Sequence, residues 1–370
     1  IPQALAEAGY RTAFFGKWHI GECPGYYPDE RGFHVAKGYR NKQDVKRSHW
    51  MKDFAETAAN MTGSDLDAYV ADVLTSQCAA FITDNRDNPW MAVLSHYLVH
   101  NPVQPKPDKL ARYENKKTTD QNNPGYAAMV ESVDESVGRL IQTIRDLGLE
   151  QNTMVIFTSD NGGLTPNNTS NYPLMGGKSF PFEAGMKVPF IVKWPGKVKP
   201  GTTEQRIIGM DIYPTMLGAA GLPLRPDQHV DGLNLTPLLT KGETLKKRPI
   251  IFHFPHYTHA TGPFSSIIEE DWKLIRFYND ELGGYLLYNL AVDPEEQKNL
   301  ANVNVVMRDR LLRRLEISLK EMMAELPIPN PEFNPDALKE KKNLKFTKDL
   351  AEEERVMFEE RLGKPVSYGF

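Results

Sequence analysis

The residues best able to do chemistry fall in four short clusters. Thr153–Gly163 ends in Ser159-Asp160-Asn161-Gly162-Gly163, where the Asp160 carboxylate beside the Asn161 carbonyl offers two hard oxygen donors, suited to Ca²⁺ or Mg²⁺ rather than to a soft metal. The same Asp-Asn-Gly-Gly run is also ordinary turn chemistry, so both readings stand at this point. Lys17 and His19 follow Gly16, His100 follows Val99, and Lys178 follows Gly176-Gly177 in a segment that also holds Glu183. Taken singly, a lysine after a glycine is a solvated cation and a lone histidine is a structural one. Together they supply two ammonium groups, two imidazoles and an oxygen-donor metal site. That set suits a tetrahedral oxyanion, a sulfate or phosphate ester: cations neutralise the oxygens and an imidazole protonates the leaving group.

The elements able to position such a set are those of a largely parallel sheet. Tyr10–Phe15, Trp90–Leu94, Met154–Thr158 and Val188–Val192 are short apolar, β-branched or aromatic runs. Met154–Thr158 reads as a strand buried on both faces. The polar clusters lie at the ends of these runs or in the loops after them, where ligands gather in open α/β sheets. Between the runs lie amphipathic helices. Ser64-Asp65-Leu66-Asp67 resembles a capping box opening a helix with Leu66, Tyr69, Val70, Val73, Leu74, Phe81 and Ile82 on one stripe. A second helix carries Met129, Val133, Val137, Leu140, Ile144 and Leu147 and ends at Gly148, and Met210–Ala220 is a third. Residues 22–50 read as a long loop. Beyond about residue 245 the texture changes to short strands at Pro249–His253, Trp272–Phe277 and Tyr285–Tyr288, followed by a helix near 303–325. That is a small antiparallel sheet on one helix. Residues 328–370, rich in Pro and charge, read as a surface tail with a helical stretch around 346–362.

Composition narrows the function classes. The chain has 370 residues, 40% hydrophobic and 25% charged, with a formal net charge of −4. Nothing there favours nucleic acid or an anionic membrane as a partner. No apolar run is long enough to span a bilayer. Two cysteines, Cys23 and Cys78, make no disulfide framework. The first residues, Ile1–Gly9, read as a helix already under way rather than as a leader, so the chain is expected to begin inside a domain.

The sequence resembles the formylglycine-dependent sulfatases of the alkaline phosphatase superfamily. Gly9-Tyr10-Arg11-Thr12-Ala13-Phe14-Phe15-Gly16-Lys17-Trp18-His19 is similar to their second signature, and Phe157–Gly163 to their metal-binding strand end. Gly177-Lys178, Glu183-Ala184-Gly185-Met186-Lys187-Val188-Pro189 and Trp194-Pro195-Gly196 resemble a further segment, with Ala184 and Lys187 where the family has Gly and Arg. Met210–Thr215 and Tyr288-Asn289-Leu290…Asp293-Pro294…Glu296…Asn299-Leu300 match later landmarks, so the resemblance spans about residues 1–300 in order. It implies an alkaline-phosphatase-like α/β/α sandwich with a smaller C-terminal α+β subdomain. Residues 1–244 would form the catalytic domain, 245–327 the antiparallel-sheet subdomain and 328–370 the tail.

The resemblance also assigns roles. Asp160 and Asn161 would be calcium ligands, Lys17 and Lys178 would bind sulfate, and His19 would support the nucleophile and the sulfate. His100 would be the general acid to the leaving alcohol, Val99 standing where the family has Pro. Phe252-His253-Phe254-Pro255-His256-Tyr257 is similar to a segment of carbohydrate-acting members, which makes His253 and His256 candidates for substrate contact. The implied partners are a sulfated carbohydrate and the formylglycine-generating maturation enzyme, and the implied location is periplasmic or extracellular. One departure matters. The family's nucleophile arises from Cys or Ser in Cys/Ser-x-Pro/Ala-x-Arg, and neither Cys23, Cys78 nor any serine here fits. The nucleophile and the remaining calcium carboxylates are expected upstream of Ile1, and the chain by itself is expected to be inactive. A phosphoester or phosphonate hydrolase on the same scaffold, or a non-catalytic glycan-binding chain, are the alternatives.

Overall fold

The computed structural model describes residues 1–21, 23–39, 68–164, 169–258, 261–278 and 284–332. The capping box expected at Ser64–Asp67 and the helical stretch expected around 346–362 lie outside the described residues. Two compact units divide the chain. The first comprises residues 1–117, 123–156 and 192–245, and the second 118–122, 157–191 and 246–370.

The first unit is built on strand β1 (Arg11–Gly16), which is buried from Thr12 onward. It lies between β2 (Val35–Lys37) and β3 (Trp90–Ser95) and runs parallel to both. β2 falls inside the expected loop at 22–50; with three residues it is too short to show a period. Alternation along β1 sends its side chains to two different cores. Ala13 and Phe15 pack with Leu74, Cys78, Phe81 and Ile82 of α2 (Val70–Asp84) and with Ile144 of α4 (Pro124–Asp146). Phe14 packs instead with Ala4 and Leu5 of α1 (Pro2–Glu7), Phe33, Met91 and Leu217 of α6 (Ile212–Ala219). The sheet is therefore covered on both faces by helices, which explains why its strands are apolar throughout. The Asn123 side chain accepts the Tyr126 N–H (3.0 Å) and caps α4. Between α2 and α4, the stretch after His100 forms α3 (Pro107–Tyr113), whose buried Lys109 pairs with Glu131 (3.4 Å) and Glu135 of α4.

β4 (Val155–Thr158) and β5 (Phe190–Lys193) pair as a separate two-stranded sheet, and each strand has residues in both units. The expectation that β4 is buried on both faces is not met. Val155, Ile156 and Phe157 are half-buried and Thr158 is exposed. Among the described residues β5 is its only sheet neighbour, so its apolar run lines one edge rather than the middle of a sheet.

The second unit carries a meander, β6 (Ile250–Phe254), β7 (Phe264–Glu269), β8 (Trp272–Phe277) and β9 (Tyr285–Asn289), each antiparallel to its neighbour. α8 (Val305–Glu321) lays Leu311, Leu315 and Leu319 against Ile267, Leu274 and Leu287. α5 (Glu183–Met186) belongs to the same unit, and α7 (Thr236–Lys241) to the first. β7 is an addition to the three strands expected. Its Ser265 and Ser266 are buried beside apolar Ile267 and Ile268, which hides the two-residue period. No helix among the described residues is long and apolar enough to cross a membrane.

Candidate active site

The first unit holds Lys17, His19 and His100. Gly16 pairs with Ser95 across β1 and β3, and the Lys17 N–H extends the ladder one step by donating to the Ser95 carbonyl (2.7 Å). Gly16 has φ +105°, and a Cβ there would lie 2.0 Å from the Ser95 carbonyl oxygen, so only glycine closes this end of the sheet. Trp18 anchors the next turn. Its ring meets Phe14 edge-on at 5.1 Å and its indole N–H points to the Gly21 and Tyr26 carbonyls (both 3.1 Å). Lys17 is thereby left half-buried and His19 exposed.

His100 lies five residues beyond β3, in the turn closed by its own N–H on the Tyr97 carbonyl (3.0 Å). Its Nδ1 is 2.9 Å from the Asn101 carbonyl oxygen. A carbonyl only accepts, so Nδ1 carries a proton, and in the neutral ring the lone pair is on Nε2. Lys17 and His100 thus follow the ends of two adjacent parallel strands.

The second unit holds Asp160, Asn161 and Lys178. Asp160 is exposed just beyond β4, and its Oδ1 accepts the Asn161 N–H (2.9 Å). The Asn161 amide nitrogen donates to the Gly162 carbonyl (2.8 Å), which fixes the amide by its nitrogen. The Gly163 carbonyl accepts the Lys178 N–H (3.0 Å) and the Asn171 side-chain N–H (3.0 Å), and Asn171 also donates to the Gly176 carbonyl. Gly162 donates to the Gly185 carbonyl (3.1 Å), and a Cβ on it would lie 1.6 Å from the Ala184 carbonyl oxygen. Asp160-Asn161, the Lys178 loop and α5 are therefore one packed assembly. The oxygen donors of Asp160 and Asn161 fit a hard cation such as Ca²⁺. They are two, however, and among the described residues no group of three or more His, Cys, Asp or Glu side chains could hold a metal ion.

His253 and His256 sit apart from these residues in the sequence, on and just after β6. His253 has both ring nitrogens engaged, Nδ1 with Ser265 Oγ (2.7 Å) and Nε2 with the Glu325 carbonyl (2.9 Å). His256 is exposed, with its ring 4.2 Å from that of Phe254. Cys78 is buried, and burial pushes its thiol up to about 12, the opposite of what a nucleophilic cysteine needs.

Residues 1–222 match the sulfatase family model. The chain belongs to the sulfatase family. Residues 175–325 of this sulfatase-family chain match a second model, described as N-sulphoglucosamine sulphohydrolase, C-terminal. The chain is 34% identical over 260 residues to a sulfatase of Formosa agariphila, covering 64% of this chain and 46% of that protein. It is 32% identical over 377 residues to human N-acetylgalactosamine-6-sulfatase, covering 90% of this chain and 70% of that protein. The chain thus spans about half the length of the first of these relatives. A solved structure of Ps i-CgsB in complex with k-i-k-neocarrahexaose superposes with a TM-score of 0.71 at 26% identity, covering 86% of this chain and 73% of that one. The fold is accordingly the alkaline-phosphatase-like one of the sulfatases, with its C-terminal antiparallel sheet and helix.

Two groups in this sulfatase-family chain escape sequence reasoning. His96, four residues before His100, starts a buried relay. Its Nε2 is 2.8 Å from Ser136 Oγ, which is 2.6 Å from Thr75 Oγ1, which donates to the Ala71 carbonyl (2.5 Å). Thr75 has one proton and gives it to Ala71, so Ser136 must donate to Thr75 and accept from His96 Nε2–H. His96 Nδ1 is then an unprotonated acceptor, buried with no partner among the described residues. Burial, opposed by the Asp72 carboxylate, lowers the His96 pKa to about 4 and keeps the ring neutral. The second group is Lys273, fully buried on β8 between Glu183 (3.0 Å) and Glu296 (2.8 Å). In WKLIRF a lysine reads as the polar face of a strand, and only the fold shows that it is enclosed.

Proposed function

We propose that the protein is a carbohydrate sulfatase, hydrolysing a sulfate ester on a sugar. The observation that carries this is that Lys17 and His100 follow the adjacent ends of the parallel strands β1 and β3, in a chain of the sulfatase family. Lys17 and Lys178 would neutralise the sulfate oxygens, and His19 would support the nucleophile and the sulfate. His100, its Nδ1 proton held by the Asn101 carbonyl, would deliver a proton from Nε2 to the leaving sugar oxygen. Asp160 and Asn161 would contribute two ligands to a calcium ion, which when bound draws charge from the sulfate oxygens. The nucleophile is read as a formylglycine outside residues 1–370, installed by a maturation enzyme, because no Cys or Ser in this chain has the required surroundings. His256, exposed beside Tyr257, is better placed to meet a sugar than His253, whose ring nitrogens are both engaged.

A sulfated carbohydrate as substrate is supported by the similarity to a relative named for N-acetylgalactosamine 6-sulfate and to a structure holding a neocarrahexaose. A periplasmic or extracellular location follows from the same reading. The test is sulfate release by the full-length protein, its formylglycine verified by mass spectrometry, across a panel of sulfated saccharides. Release from at least one is expected. No release, or faster hydrolysis of phosphate monoesters than of any sulfate ester, overturns the reading.

A further inference from the structure

We propose that Lys273, Glu183 and Glu296 are positioning residues for the metal and anion site: a buried ion triad that locks the loop bearing Lys178, and through it Asp160-Asn161, onto the C-terminal sheet. The proposal rests on the sulfatase reading of those three residues and deepens it. All the groups concerned lie in the second unit.

Several independent contacts converge here. Lys273 and Glu296 are fully buried and the Glu183 side chain is 16% exposed. Glu296 uses both carboxylate oxygens: Oε1 faces Lys273 Nζ at 2.8 Å and Oε2 accepts the Glu183 backbone N–H at 2.5 Å. Glu296 adopts φ +57°, a backbone region that a non-glycine residue keeps only when its surroundings hold it there. Beside the triad, Phe182 meets Tyr288 edge-on at 6.5 Å, both fully buried. Glu183 opens α5, whose Gly185 carbonyl holds Gly162 (3.1 Å), and a Cβ on Gly185 would lie 2.4 Å from the Gly177 and Phe180 carbonyl oxygens. A shift of α5 therefore has no slack to absorb it before it reaches Asp160-Asn161 on one side and Lys178 on the other.

The charge pattern gives the triad its stiffness. One buried ammonium stands between two carboxylates, so removing it leaves Glu296 enclosed with no counter-charge. An amide at 296 can still accept the Glu183 N–H through its one oxygen, but it removes the charge that faces Lys273 and sets an N–H group against the ammonium. Burial, opposed by Lys273 and reinforced by Glu183, pushes the Glu296 carboxyl up to about 7, as expected of an enclosed carboxylate with a second one beside it.

The experiment measures Ca²⁺ and inorganic sulfate binding by calorimetry in the full-length protein, well below the melting temperature of every variant. Lys273→Met and Glu296→Gln are compared with Leu311→Ala, which cuts the fully buried α8 contact without touching the triad. We expect both triad variants to raise the Kd for Ca²⁺ and for sulfate at least tenfold, and Leu311→Ala to lower the melting temperature while leaving both constants within twofold. Unchanged binding in Lys273→Met and Glu296→Gln overturns the positioning role. So does an equal loss in Leu311→Ala, which would make the effect one of general stability. If the wild type binds sulfate and not Ca²⁺, the metal reading fails and the sulfate constants alone decide. If it binds neither, the site reading and the triad's role fall together.

Discussion

At the residue scale, the Asn101 carbonyl 2.9 Å from His100 Nδ1 holds the ring hydrogen on that nitrogen, and the proposed acid role falls to Nε2. A general acid matters in proportion to how poor the leaving group is. His100→Ala is expected to cut kcat on a sugar sulfate by about 10²–10⁴-fold, the usual range for losing such a group, and to cost much less on an aryl sulfate with an acidic phenol. Steady-state rates on the two substrates measure the ratio. An equal loss on both would place His100 in binding instead.

His96 makes a prediction of the opposite kind, about stability. Its pKa is 6.5 when unfolded and about 4 when folded, so between those values the unfolded chain binds more protons. The stabilisation that a neutral His96 provides is complete above about pH 6.5, is lost as pH falls towards 4, and changes no further below that. The shift corresponds to about 3 kcal/mol. His96→Gln keeps an N–H for Ser136 and has no titratable ring. The difference in unfolding free energy between wild type and His96→Gln should therefore move by about 3 kcal/mol in favour of the variant from pH 7 to pH 4, measured by urea denaturation. A flat difference would sink the buried neutral assignment.

At the element scale, the strand ends carry the design. Gly16→Ala forces a Cβ against the Ser95 carbonyl oxygen at 2.0 Å in a left-handed conformation, and should cost about 2–4 kcal/mol. Gly148→Ala is the control. It is equally left-handed at φ +70° but has nothing within 4 Å, and should cost about 1 kcal/mol. Thermal unfolding of the two variants tests the contrast.

The same elements show what a sequence can disclose. β1, β3, α2 and α4 are legible because each carries an apolar pattern long enough to show its period or its unbroken run in the sequence. The hard-oxygen character of Asp160-Asn161 and the cationic character of Lys17 and Lys178 are legible because side-chain chemistry needs no fold to be read. β7 is hidden by two buried serines, and β2 by its three-residue length. The half-burial of β4 is invisible from its own residues, since Val-Ile-Phe reads as interior whichever strands flank it. Lys273 and His96 are missed because a buried polar group is recognised by its enclosure, which is a property of distant segments.

At the scale of the whole molecule, chain order and spatial grouping disagree. The second unit takes 157–191 from the middle of the sequence and joins it to 246–370. A fragment starting at residue 246 therefore keeps all four strands and α8 but loses Glu183, Phe182 and α5, leaving Lys273 buried against Glu296 alone. Removing one member of a buried ion cluster costs about 3–5 kcal/mol, comparable to the whole stability of a small domain. The fragment alone is expected to lack a cooperative unfolding transition by circular dichroism, and a 157–191 peptide added in trans is expected to restore one. A cooperative transition in the fragment by itself would contradict this. The triad has one more consequence, in time rather than in space. Glu183 leaves the ribosome 113 residues ahead of Glu296. At about 5–20 residues per second that is a wait of roughly 6–20 s, during which the segment from Asp160 to Glu183 exists without its contacts to Lys273 and Glu296. Lys17, His19, His100, Asp160, Asn161 and Lys178 all precede residue 245, so a message cut short there would encode them without Lys273 and Glu296.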